Sequence, residues 1–341
     1  IGNPGGRSER TDPRNSRMSD IAPAPVLNHY DVEVEAPDIS TYRDGNRDIP
    51  YFTTFESGRA GPKVLVTALV HGNELCGAIA LDHLFRNDIR PRAGTLTLGF
   101  CNVAANAQFR PDYPAFSRFV DEDFNRIWDV GVLESDTQSI ERDRAREIHP
   151  IVDETDFLLD IHSMQNATEP LVLAGRHRKG RLLAERVGAP GLIVLDAGHA
   201  SGRRMRDYDF FDDPEDPRSA LLVECGQHWS RSAANVAVDV TYRFLRAMGM
   251  IDDDTMEQHV TAPATAAQTV IEITDVITVT SDYFHFHEEY IGMEIIPRAG
   301  TEIGRDGDIS IRTPHDNCVL IMPSRRLSRG LTAVRLGRFV E

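Results

Sequence analysis

Cysteine is scarce and scattered. Cys76, Cys101, Cys225 and Cys318 form no CxxC pair, which argues against a disulfide framework and against a cysteine-held structural zinc. No apolar run approaches the roughly eighteen residues that a membrane-spanning helix needs. Basic residues are in the minority, 37 against 53 acidic, giving a formal net charge of −16 that opposes nucleic acid and anionic membrane surfaces as partners. A small anionic ligand stays open, because charges beyond a Debye length of about 8 Å are largely screened and a few local arginines can dominate a pocket. The first seventeen residues are polar, without the apolar stretch of a secretory signal, and with so few cysteines this suggests a cytoplasmic protein. No repeat, heptad or phosphate-binding glycine loop stands out.

Four short segments carry the chemistry: HGNE at 71–74, RFVDEDFNR at 118–126, DIHS at 160–163 and VECG at 223–226. His71 and Glu74 follow the apolar run 63–70 and open a segment with helical spacing, so imidazole and carboxylate point the same way. Residues 156–161 read as a buried strand that delivers His162 to the C-terminal edge of a sheet, where ligands collect in α/β proteins. His71, Glu74 and His162 make a His₂Glu set, three ligands with a fourth position left for water, as in catalytic zinc sites. Glu224 ends another apolar run and would open onto the same edge, where partial desolvation raises a carboxylate toward the range of a general base. Gly226 beside it would let a substrate approach the backbone. Arg118 and Arg126, with Asn125, are the cations of the central segment, and an arginine fork suits a carboxylate or a carbonyl on which charge develops. Each feature also has a plain structural reading: an exposed first helical turn, a strand-end ion pair, a salt-bridged acidic loop.

Along the chain, 1–28 reads as a disordered leader, with strand-like stretches at 30–36 and 50–57 leading into an α/β domain over 29–250. Strands are expected at 63–70, 95–101, 156–161, 171–174, 191–195 and 219–225, and helices near 73–88, 137–149, 178–187 and 230–248. That alternation predicts a mixed sheet covered by helices on both faces. Val236, Val240, Phe244 and Met248 form the core stripe of the last helix. Residues 251–268 read as a linker, and 269–341 as a smaller β-rich C-terminal domain cut by Gly and Pro turns. His285 and His287 share a strand face in HFHEEY, which reads more simply as a solvent-facing hairpin than as a second metal site.

In order and type, the four segments resemble the succinylglutamate desuccinylase and aspartoacylase family, deacylases of the zinc carboxypeptidase-like clan, over roughly residues 63–230. The resemblance implies a carboxypeptidase-like α/β fold and one Zn²⁺ per subunit held by His71, Glu74 and His162. It further implies Glu224 as the residue that activates water, Arg118 as the polarising arginine, and Asn125 with Arg126 as the grip on a substrate α-carboxylate. Asp123 takes the place of the carboxylate that hydrogen-bonds a zinc-bound histidine. In the family a C-terminal appendage narrows the active-site mouth. The chain departs from its relatives in an enlarged loop, 197–219, where Arg203, Arg204, Arg206 and Tyr208 are candidates for reading the substrate side chain, Arg206 and Tyr208 being preferred. It also lacks a tyrosine in NCVLIMPSRR at 317–326. The expectation is a zinc-dependent deacylase of a small anionic N-acyl amino acid or related amide. The rivals are a metallocarboxypeptidase and a non-catalytic acyl-amino-acid binder; acyl group, amine and homo-oligomerisation stay open.

Overall fold

The computed structural model describes residues 1–2, 30–263 and 267–340. It divides into Ile1–Tyr30 and Asp31–Glu341, and all that follows concerns the second unit. Beyond its first two residues, the expected leader at 1–28 lies outside the described residues, as do residues 264–266 of the expected linker.

The strands up to the linker are β1 (Phe52–Glu56), β2 (Lys63–Ala68), β3 (Thr95–Phe100), β4 (Phe157–Met164), β5 (Leu171–Leu173), β6 (Leu192–Leu195) and β7 (Ser219–Gln227). After it come β8 (Thr269–Thr278), β9 (Phe284–Phe286), β10 (Ile295–Ile296), β11 (Glu302–Asp306), β12 (Ile309–Arg312), β13 (Cys318–Ile321) and β14 (Thr332–Val340). An 11-stranded sheet has the order β1-β3-β2-β4-β7-β5-β6-β8-β14-β13-β10, and a 3-stranded sheet the order β12-β11-β9. The central strands β3, β2, β4 and β7 run parallel, while β1 is antiparallel to β3 and β5 is antiparallel to β7 but parallel to β6, so the sheet is mixed as expected.

Strand β2 shows why its segment reads as an unbroken apolar run. Val64, Val66 and Ala68 join the core beneath helices Leu75–Arg86 and Arg231–Ala247, whereas Leu65 faces the opposite core beneath helix Ile140–Asp153. A strand buried on both faces has no polar side to alternate with. Helix Arg231–Ala247 begins at the N-cap Ser230, whose side chain accepts from Ala233 N–H; it buries Val240 and Phe244, Met248 is buried at its C-cap, and Val236 packs partly buried against the same core.

The C-terminal segment does not stand apart from this sheet. β6 pairs in parallel with β8, β8 pairs with β14, and the main sheet continues through β13 to β10, leaving β9, β11 and β12 as the separate small sheet. Within the expected linker, Asp253–Glu257 form a short helix. One strand expectation fails: residues 30–36 make no strand, because among the described residues the alternating segment has one backbone–backbone hydrogen bond, Glu33 N–H donating to Trp229 O, instead of a ladder.

Candidate active site

Leu69, buried and left-handed at φ 57, turns the chain out of β2 and presents His71. Gly72 follows in a crossing too tight for any side chain: a Cβ there would lie 2.3 Å from Asn106 N and 2.5 Å from Ser117 O. Glu74 then opens helix Leu75–Arg86 without capping it. Its carboxylate is committed elsewhere. Oε1 lies 2.7 Å from His71 Nδ1, Oε2 lies 2.9 Å from His162 Nδ1, and Ser163 N–H donates to Oε2 at 3.2 Å.

Both histidines thus turn the same nitrogen toward Glu74, and a second carboxylate fixes each ring from behind. His71 Nε2 is 3.0 Å from Asp123 Oδ1, and His162 Nε2 is 2.8 Å from Asp160 Oδ2. Asp160 is itself held by Thr67, whose hydroxyl donates to Oδ1 at 2.8 Å. The ligand atoms of His71, Glu74 and His162 all lie within 4.8 Å of one another, and all three residues are buried. Two imidazoles oriented by carboxylates around a third carboxylate suit a divalent cation of the zinc class, so the donor set fits the metal expected there. The electrostatics agree. Burial alone would raise the Glu74 carboxyl, but the two imidazoles hold it well below its ordinary range; burial alone would lower His162, but Asp160 and Glu74 hold it well above.

Glu224 reaches the same place through sheet register. β4 and β7 are parallel neighbours in which His162 pairs with Glu224, so the two side chains leave the same face side by side. Glu224 Oε2 is buried without a hydrogen-bond partner among the described residues, and burial reinforced by the Glu74 charge pushes its carboxyl up to about 8. Arg118 bridges the site, donating from Nη1 to Glu74 Oε1 (3.3 Å) and from Nη2 to Asp123 Oδ2 (3.0 Å). Although burial works against its charge, these carboxylates keep its guanidinium firmly protonated.

These groups line one cavity of about 360 Å³ together with Asn125, Arg126, Arg204, His199, His228, Arg326 and Arg335. Asn125 Oδ1 accepts Met205 N–H, and Arg126 donates to Ser201 Oγ and to Asn125 O. Burial lowers the Arg126 guanidinium to about 10, with Arg118, Arg335 and Arg204 adding repulsion.

Residues 60–235, just over half of the 341-residue chain, match the family model of the succinylglutamate desuccinylase/aspartoacylase catalytic domain. The chain belongs to that family. It is thereby a hydrolase of amide bonds. No curated protein matches it. Among solved structures, succinylglutamate desuccinylase from Vibrio cholerae is similar at 19% identity and TM-score 0.61, covering 82% of each chain. The same enzyme from Vibrio parahaemolyticus is similar at 17% identity and TM-score 0.60, again over 82% of each chain. The product-bound ectoine utilization protein from Ruegeria pomeroyi is similar at 15% identity and TM-score 0.57, over 86% of this chain and 92% of that one. These likenesses are of fold.

Within this desuccinylase/aspartoacylase fold, His71, Glu74, His162, Glu224, Arg118, Asp123, Asn125 and Arg126 all lie on the cavity wall. Arg206 and Tyr208 do not. Arg206 is buried behind the wall, donating to Ala174 O, Ala220 O and Asp207, and the Tyr208 hydroxyl donates to Asp153 and contacts His149. Alternate residues of the loop point in different directions, and it is Arg204 that faces the cavity, clamped on Asp196 and Asp207. Gly226 is not on the wall either; its φ of +121 serves the irregular register between β4 and β7 beyond His162. His287 Nε2 pairs with Glu302, and His285 joins no metal-ligand group among the described residues.

Several contributors are absent from the sequence reading. Asp160 was legible in principle, since it precedes His162 by two and shares its strand face. Glu141 had no local signal: fully buried, it accepts from Asn102 Nδ2 and from the backbone N–H groups of Val120, Asp121 and Glu122, tying the Arg118–Asp123 loop to helix Ile140–Asp153. Arg326 and Arg335 enter from the C-terminal segment by chain topology alone.

Proposed function

We propose that the protein is a zinc-dependent deacylase that hydrolyses the amide bond of a small N-acylated amino acid. The observation that carries the reading is the convergence, on one cavity, of a buried His₂Glu donor set and an adjacent carboxylate with an oxygen unpartnered among the described residues. When bound by His71, Glu74 and His162, Zn²⁺ supplies Lewis acidity, which acidifies water and polarises a carbonyl.

The remaining work belongs to the chain's own groups. Glu224 accepts a proton from the attacking water and returns it to the departing amine. Burial and Glu74 raise its carboxyl to about 8, which makes its carboxylate a stronger base than an ordinary one and, once it has taken the proton, a usable acid near neutrality. Arg118, oriented by Glu74 and Asp123, donates to the carbonyl oxygen as negative charge develops there. Arg126 binds the substrate's α-carboxylate, joined by Asn125, which spends Oδ1 on Met205 N–H and keeps its amide hydrogens to donate. This grip sets the register of the scissile bond. Asp123 and Asp160 hold the two imidazoles in the tautomer and orientation that ligation needs.

Substrate size follows from the cavity. Met322, Pro323, Ser324 and Arg326, between β13 and β14, contribute to its wall, and their segment is anchored by Asn166 Nδ2 donating to Pro323 O and by Arg325 N–H donating to Gln165 Oε1. A volume of about 360 Å³ suits a small acyl amino acid better than a peptide chain. The names of the similar proteins, a succinylglutamate desuccinylase and an ectoine utilization protein, point to the same class. Turnover of N-acyl amino acids by the zinc-loaded protein, compared with release of C-terminal residues from peptides, tests this. Efficient release from long peptides would assign a carboxypeptidase instead.

A further inference from the structure

His228, the first residue beyond β7, lies buried on the cavity wall with no share in ligation or in proton transfer. Its backbone is pinned. His228 N–H donates to Met164 O at 2.8 Å, and the indole of the next residue, Trp229, donates to Asn73 O at 3.1 Å, immediately before the ligand Glu74. The ring is pinned too: Nδ1 lies 2.9 Å from the hydroxyl oxygen of Ser163, whose own N–H donates to Glu74 Oε2.

The contact with Ser163 fixes the tautomer. Among the described residues the buried Ser163 hydroxyl has no acceptor other than His228 Nδ1, and a buried hydroxyl proton left unpaired costs free energy. Ser163 therefore donates, Nδ1 accepts, and the ring proton sits on Nε2. Nε2 has no partner among the described residues, yet it is not one of the unpartnered atoms sealed from solvent, so it opens on the cavity that His228 lines. The imidazole is also neutral, because burial lowers it to about 3, with the Arg118 charge opposing that of Glu74.

Glu74 and Arg118 are the charged groups that act on His228 most strongly, which sets it beside the ligand trio and the guanidinium that Glu74 orients. A rigid, uncharged N–H at such a place suits an oxygen on which charge grows, since it needs none of the reorganisation that water would require. Resting on the deacylase reading, we infer that His228 is a further catalytic residue, its Nε2–H donating to the scissile carbonyl oxygen beside Arg118 as negative charge develops there. Ser163 is then the positioning residue that holds the ring in its donating tautomer.

Nitrogen NMR on the wild type with labelled histidines reads the tautomer without any substitution. His228 should carry its proton on Nε2 alone; a proton on Nδ1 would overturn the assignment. In turnover, a folded His228→Leu should keep its zinc and lose about 10²- to 10³-fold in kcat with KM within about threefold, as removal of one oxyanion donor does. His228→Gln, whose amide can place an N–H near the position of Nε2, should recover about tenfold or more of that loss. Wild-type kcat in His228→Leu, or a loss confined to KM, would refute the role. Calorimetry with methylphosphonate, a tetrahedral anion, on the zinc-loaded protein gives a readout independent of turnover: affinity should fall about tenfold or more in His228→Leu, and an unchanged affinity would count against the donor. Should no N-acyl amino acid be hydrolysed at all, the deacylase reading fails, while the tautomer and the methylphosphonate affinity still decide whether His228 donates into the cavity.

Discussion

Replacing Asp160 with Asn isolates the support behind one ligand without touching the ligand itself. Asp160 is buried, bonded to Thr67 Oγ1 at 2.8 Å and to His162 Nε2 at 2.8 Å. The amide has the same shape, and with its oxygen toward His162 Nε2–H its nitrogen can donate to the Thr67 hydroxyl, so the fold should survive. What disappears is the negative charge that holds the imidazole and strengthens its other nitrogen as a donor. Losses of this kind cost about 10- to 100-fold in metal affinity, or about 1.4 to 2.7 kcal/mol. Competition against a chelator of known zinc affinity, with circular dichroism to verify folding, measures the change. A folded Asp160→Asn protein with wild-type zinc affinity would refute the claim that Asp160 orients His162 for ligation.

Gly72→Ala forces a methyl group into the backbone of Ala105, Asn106 and Ser117, so denaturant unfolding should show a loss of about 3 kcal/mol or more, or no folded protein. Arg206→Gln removes bonds to Ala174 O, Ala220 O and Asp207 behind the wall, and should lower the melting temperature while leaving KM within about twofold. Burial would raise the Asp306 carboxyl, but Thr280 and Ser281 bond it and hold it at about 2, below its unfolded value of 3.8. Its contribution to stability is therefore full above the unfolded pKa and lost as pH falls through about 2; in Asp306→Asn, the acid unfolding curve should lose that component.

Residues that carry their signal locally were legible in the sequence. Spacing places His71 and Glu74 together, although they meet in a turn ahead of helix Leu75–Arg86, closed by Glu74 N–H donating to His71 O, and not on the helix itself; the ends of the apolar runs locate His162 and Glu224 on strands, where short-range periodicity fixes both face and element. What stayed hidden depends on chain crossings. Arg204 rather than Arg206 faces the cavity because loop 197–219 folds back on Asp196, a contact no spacing rule encodes. Glu141 acts through backbone N–H groups some twenty positions earlier, and Arg326 reaches the site only because the sheet continues through β8 and β14. The segment 30–36 forms no strand for the converse reason: alternation suits an edge strand but does not supply a partner.

The central claim is that His71, Glu74 and His162 hold zinc while Glu224 moves the proton. Zinc content and kcat measured on the same preparation of Glu224→Gln test it most directly. One zinc per chain is expected in both proteins, with kcat reduced by about 10²- to 10⁴-fold in the variant. Wild-type turnover in Glu224→Gln, or an active wild type without zinc, would contradict it.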